Sequence, residues 1–156
     1  MSIGQKLKRF FGKNPECMTL TELVTLVADE PTLANLELFY QRLLTSKVGT
    51  RVPNPHGSIK PGTRVTTAHD NFAIPHTQDS KGNSYLLVFC NISAMFEAFP
   101  GDTFAELDAR VVLEMAQSRV MGVIVQNVLE SNQPWVGVTR KDVVDILAGR
   151  YSHPGE

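Results

Sequence analysis

His69, Asp70 and His76 stand within eight residues of one another, and imidazole and carboxylate groups so spaced could share a metal ion. Two features argue against it. No Cys or Glu completes a recognised ligand box. If residues 71–76 are extended, His69 and His76 are separated by an odd number and need not share a strand face. They read better as polar turn and strand ends. Cys90 could be a thiol nucleophile, but it closes an apolar run with no neighbouring cation to lower its pKa, so a buried core thiol is expected. Glu106, Asp108 and Glu114 do not form an acid pair. Ser93 and Thr139 read as helix caps, with no nucleophile elbow around either. Neither GxGxxG nor a Walker pattern occurs. No catalytic residue, metal or cofactor follows from these residues, and the chain is read as a non-enzyme.

Binding residues are a different matter. Trp135 is the sole tryptophan and falls beside the polar stretch 127–134. Aromatic anchors in loops often carry interfaces. With Asn127 and Pro134 it forms one half of an expected partner-binding surface. Pro55 and His56, in the Pro-rich loop 53–62, form the other. A Trp closing the edge of the core is the competing reading. At the N-terminus, Ile3, Leu7, Phe10 and Phe11 share one helical face. Lys6, Lys8, Arg9 and Lys13 add four positive charges and residues 1–14 contain no negative one. Such a segment could tether the chain to anionic lipid or dock in a partner's groove. It could equally pack on its own domain.

The elements that must hold these residues follow from periodicity and caps. The 156 residues suffice for one domain with a core of its own. A net charge of −1 gives no field for nucleic acid, and no aromatic stacking motif accompanies a basic face. Two cysteines far apart in sequence suit a reducing compartment, and no apolar run reaches membrane-spanning length. With no signal peptide at the N-terminus, a cytoplasmic location is expected.

Thr19 and Glu22 match a capping box before a helix bearing Leu23, Leu26 and Val27. Asp29-Glu30-Pro31 restarts a second helix with Leu33, Leu36, Phe39, Tyr40 and Leu43 inward. Strands are expected at 47–53, 64–67, 71–76, 84–91, 103–107, 121–126 and 135–138, with a hairpin turn at 79–83. Between them come a short helix capped by Ser93, a helix capped by Asp108 with Val111, Val112, Met115 and Ala116 inward, and a last helix. Thr139 and Asp142 open that helix and Gly149 ends it. Thr103 and Glu106 also fit a capping box, but Pro100-Gly101 favours a strand there. The fold class is α+β, a single domain with a central mixed sheet of about five or six strands flanked by helices. The basic segment 1–14 precedes a domain over 18–149, and 150–156 is a tail.

The order of these pieces carries a resemblance. A helix ending FYQRLLTSKVGTRVP leads to a hairpin ending in SYLLVFCN; TFAELDARVVLEMA is followed by GVIVQN and DVVDIL. Over about residues 33–148 this resembles the N-terminal domain of the SseB (enhanced serine sensitivity) family. The resemblance implies a bacterial α+β domain with no established catalytic residues. Three departures stand out. Fuller family members carry a C-terminal domain that is expected to be missing here. Family members often have Asn-Pro after the strand matching GVIVQN, whereas Asn127 precedes Val128. The basic N-terminal segment lies outside the pattern. The combined expectation is an interaction or regulatory module that binds a protein partner and could self-associate. A peripheral membrane adaptor is the alternative.

Overall fold

A computed structural model describes residues 17–51, 62–65, 74–128 and 133–150. The basic N-terminal segment, Pro55, His56, His69 and Asp70 lie outside the described residues, as does most of the tail. Helix α1 spans Leu20–Asp29 and opens on the expected box, with Thr19 and Glu22 each accepting from the other's backbone amide. Helix α2 spans Leu33–Leu44. Its cap is Thr32, whose hydroxyl accepts from the Asn35 amide, so Pro31 precedes the helix instead of opening it. Phe39 and Leu43 are buried as expected, but Leu33 is 50% exposed.

Strands β1 (Lys47–Arg51), β2 (Gly62–Val65), β3 (His76–Gln78) and β4 (Ser84–Phe89) come next. Strand β2 starts two residues before the expected 64, and β3 starts where the expected strand 71–76 ends. The β3–β4 hairpin turns through Asp79–Asn83. There the Asp79 carboxylate accepts from the Lys81 and Asn83 amides at 2.9 Å each, and Gly82 takes φ +82°. Helix α3 (Ile92–Ala98) is capped by Asn91, not Ser93. Strand β5 runs from Thr103 to Asp108, so the strand reading prevails over the Thr103 capping box. Helix α4 spans Ala109–Ser118. Asp108 holds its N-cap position without a side-chain hydrogen bond, and the Ala109 amide donates instead to the Ser46 carbonyl at 2.9 Å. Strands β6 (Gly122–Gln126) and β7 (Trp135–Val138) lead to α5 (Arg140–Leu147), which opens on a Thr139/Asp142 capping box.

The sheet order is β2-β5-β1-β4-β6-β7, with β3 paired to β4 as a seventh strand. Pairs β2·β5 and β4·β6 are parallel and the others antiparallel. Because β6 occupies one edge of β4, β3 and β1 share the other.

Register divides the residues between two faces. Leu86, Val123 and Val138 face one side in a cross-strand row, and so do Val88, Val125 and Val136. Helices α1, α2, α4 and α5 cover this side in one continuous core. Among the described residues, the opposite side is covered at one end only. There Phe89, Phe104, Met95 and Val128 cluster under α3, the two Phe rings meeting edge to face at 5.4 Å. Arg51 ties this end together, pairing with Asp102 and stacking its guanidinium 5.3 Å from the centre of the Phe99 ring.

Candidate functional site

The part of the second sheet face that α3 leaves open among the described residues carries the expected Trp. Gly137, Ile124 and Leu87 are direct cross-strand partners on it, and Tyr85 and Gly122 form the neighbouring pair. Ile124, Leu87 and Tyr85 are half-buried. Trp135 projects from the same face of β7 and is 56% exposed. Its ring leans over Gly137, since a Cβ there would stand 3.4 Å from Trp135 Cζ3. Trp135 therefore belongs to an edge strand, and its indole sits beside an apolar row instead of plugging the core. Pro134, half-buried, precedes it.

Among the described residues the backbone of this edge is also unpaired on its outer side. The Asn127 amide donates to the Pro134 carbonyl at 3.3 Å, which marks 127 and 134 as a hydrogen-bonded pair. Antiparallel ladders alternate, so Val136 and Val138 bond to β6 while the N–H and C=O groups of Trp135 and Gly137 point outward. Among the described residues β6 is the only strand paired with β7.

Asn127, read from sequence as part of a polar surface loop, is turned inward, and Val128 is buried beside it. The Asn127 amide group donates to Thr25 Oγ1 at 3.1 Å, and its oxygen accepts from Cys90 Sγ at 3.2 Å. Cys90 Sγ also accepts from the Thr21 hydroxyl at 3.5 Å. These contacts pin α1 to the carboxyl ends of β4 and β6. Burial pushes the Cys90 thiol up to about 11 despite the Thr21 donation, so it is protonated at neutral pH and a poor nucleophile.

A second concavity lies at the other end of the sheet. Parallel register sets Tyr85 opposite Gly122, so β4 and β6 begin together. The end of β7 and the start of α5 reach the same level, as does the turn after α4. Among the described residues these segments enclose a cleft of about 590 Å³. Its walls include Tyr85, Arg119, Val120, Arg140 and Lys141, with His76 at the rim of β3. The Tyr85 hydroxyl donates to Asp79 at 3.4 Å. Partial burial and then the Asp79 carboxylate raise its pKa, which keeps it protonated.

The SseB protein N-terminal domain model matches residues 20–131. The chain belongs to the SseB family. No curated protein and no solved structure matches it. The SseB match opens with α1, earlier than the resemblance read from sequence, and stops before β7. Tyr85, Arg119, Cys90 and Asn127 therefore fall within the matched SseB residues, and Trp135, Pro134, Arg140 and Lys141 beyond them.

Among the described residues of this SseB domain, no group of three or more His, Cys, Asp or Glu could hold a metal ion. No described helix is long and apolar enough to cross a membrane. The sequence reading missed Tyr85, Leu87 and Ile124 as surface residues because they lie in apolar runs that read as buried on both faces. It missed the cleft because its walls come from three distant segments.

Proposed function

We propose that this SseB-family domain is a non-enzymatic protein-interaction module of the bacterial cytoplasm, with Trp135 as the anchor of its contact surface. The observation that carries the reading is the open face around Trp135: an exposed indole, a half-buried Leu87–Ile124 row and the outward backbone groups of an edge strand. Exposed aromatic residues beside apolar rows are where interface energy concentrates. An edge strand with unpaired N–H and C=O groups takes an extended segment of a partner. Pro134 lies at the border of this surface, and Asn127 supports it from below instead of touching the partner. Residues 1–14 act as an accessory tether through Phe10 and Phe11 and the charges of Lys6, Lys8, Arg9 and Lys13.

The test is comparative capture from bacterial lysate with the full chain and with Trp135→Ala. The expected result is loss of specific partners by the variant at an unchanged melting temperature. Identical partner sets would remove Trp135 from the site. A third sample lacking residues 1–14 separates the tether from the folded surface.

A further inference from the structure

We propose that the cleft at the amino ends of β4 and β6 binds a small organic phosphate monoester. Arg119, Arg140 and Lys141 line it from two different elements, and among the described residues its lining includes no carboxylate. Among the described residues, the acids closest to it are already engaged. Asp142 accepts from the Thr139 amide at 3.1 Å, closing the α5 capping box. Asp79 is held by the hairpin turn and by Tyr85. Asp145 is shared between Lys141 at 3.2 Å and Arg150 at 3.1 Å. Arg119 and Arg140 both line the cleft and make no ion pair among the described residues, so two guanidinium groups are available to it with their charge uncommitted. Guanidinium forks match phosphate oxygens in geometry and are only weakly hydrated.

The shape selects a compact ligand. A volume of about 590 Å³ suits a small molecule. A nucleic-acid strand would need a basic track along a face, and the cations here converge on one concavity of a chain with net charge −1. The remaining walls suit an organic body. Tyr85 offers a ring, Met121 is half-buried, and Val120 projects a side chain that is 65% exposed. Val120 does so at φ +57°, a conformation that disfavours any β-branched residue. The site lies at the amino ends of the parallel pair, not at the carboxyl ends where open α/β sheets bind ligands, so the assignment rests on the lining chemistry and owes nothing to fold analogy.

The probes are phenyl phosphate, inorganic phosphate and phenol, titrated against the full-length protein with amide NMR and calorimetry. Phenyl phosphate is expected to bind saturably, more tightly than inorganic phosphate. Its shifts should centre on Tyr85, Val120, Gly122, Arg140 and Lys141, and phenol should produce none. Arg119→Ala with Arg140→Ala should weaken phenyl phosphate at least about tenfold, given the usual strength of charge-assisted hydrogen bonds. The paired change removes exposed side chains, and an unchanged melting temperature confirms the fold. Val120→Gly should weaken phenyl phosphate and leave inorganic phosphate unaffected. The absence of saturable shifts, or equal affinity in the double variant, overturns the proposal. So does tighter binding of a single-stranded oligonucleotide through the same residues. Trp135→Ala should leave phenyl phosphate affinity unchanged, so this site and the partner surface stand or fall separately.

Discussion

The Tyr85 ring occupies the space where a side chain on Gly122 would go. A Cβ at Gly122 would stand 2.6 Å from Tyr85 Cδ1 and would also collide with the Val138 carbonyl oxygen. The two residues are direct partners in the β4·β6 ladder. The missing side chain lets the ring lie over β6 and form a wall of the cleft. Gly122→Ala is therefore expected to destabilise the domain by about 1–3 kcal/mol through overpacking. Gly101 is the control. A Cβ there meets nothing within 4 Å, and its φ is outside the left-handed range, so Gly101→Ala should be neutral or slightly stabilising. Urea denaturation of the two variants checks the pair, and similar effects would remove the steric argument.

Two helices end in the same hydrogen-bonded motif with opposite residues at its left-handed position. After α4, the Met121 amide donates to the Ala116 carbonyl at 2.8 Å and Val120 donates to Gln117 at 3.2 Å. After α5, Arg150 donates to Asp145 at 2.7 Å and Gly149 donates to Ile146 at 3.0 Å. Glycine takes the positive φ without strain; valine does not. The left-handed penalty for an L-residue is about 1–2 kcal/mol, partly offset in a glycine variant by the greater entropy of its unfolded chain. Val120→Gly should raise the melting temperature by a few degrees, and Gly149→Val should lower it. A Val120→Gly protein that melts earlier than wild type would show that the exposed side chain has a packing role.

The sequence made some of this legible and hid the rest for physical reasons. Capping signals are local: Thr19/Glu22 forms the box its spacing predicts, and Thr139, read as a cap with Asp142 in the first turn, closes a second box with that acid. Apolar runs identify β4 and β6, which lie between other strands and turn one face into the helix-covered core. Polar residues were harder. Asn127 looks like loop surface, yet its partners Thr25 and Cys90 lie 102 and 37 residues away in the chain. No local pattern reports such pairings. Trp135 was singled out as an anchor, but whether its ring plugs the core or lies on an edge depends on register. The cleft collects residues near 82–85, 119–122 and 139–141, which only the parallel β4·β6 register brings level.

Half-buried acids that are neutral in the folded state make the domain sensitive to high pH. Burial pushes Cys90 up to about 11 from 9.0. Burial first, and then the charge of Asp142, pushes Tyr40 up to about 12 from 10.0. Both folded pKa values are raised, so at alkaline pH the unfolded chain loses these protons first. Their contribution is complete below about pH 9 and is lost as pH rises through 9–11 for Cys90 and 10–12 for Tyr40. Stability measured by urea should fall across that range, and Cys90→Ala with Tyr40→Phe should flatten the decline. An unchanged slope in the double variant would mean that other groups set the alkaline limit. The same burial predicts slow alkylation of Cys90 by iodoacetamide at pH 7 in the folded protein, and rapid reaction in urea.

Thr50 carries the clearest stabilising substitution. It lies in β1 opposite Ala105 and is fully buried. Its hydroxyl has no hydrogen-bond partner among the described residues. A hydroxyl taken from water without compensation costs roughly 1–3 kcal/mol on protein scales. Valine has nearly the same shape and the β-branching that a strand favours. Thr50→Val should therefore raise stability by about 1 kcal/mol or more, seen as a higher urea midpoint at an unchanged denaturant slope. Thr50→Ser separates polarity from volume: it keeps the unpaired hydroxyl, loses a methyl group and should destabilise. If Thr50→Val destabilises as well, the hydroxyl is being satisfied in solution, and an ordered water beside β1 is the partner to look for.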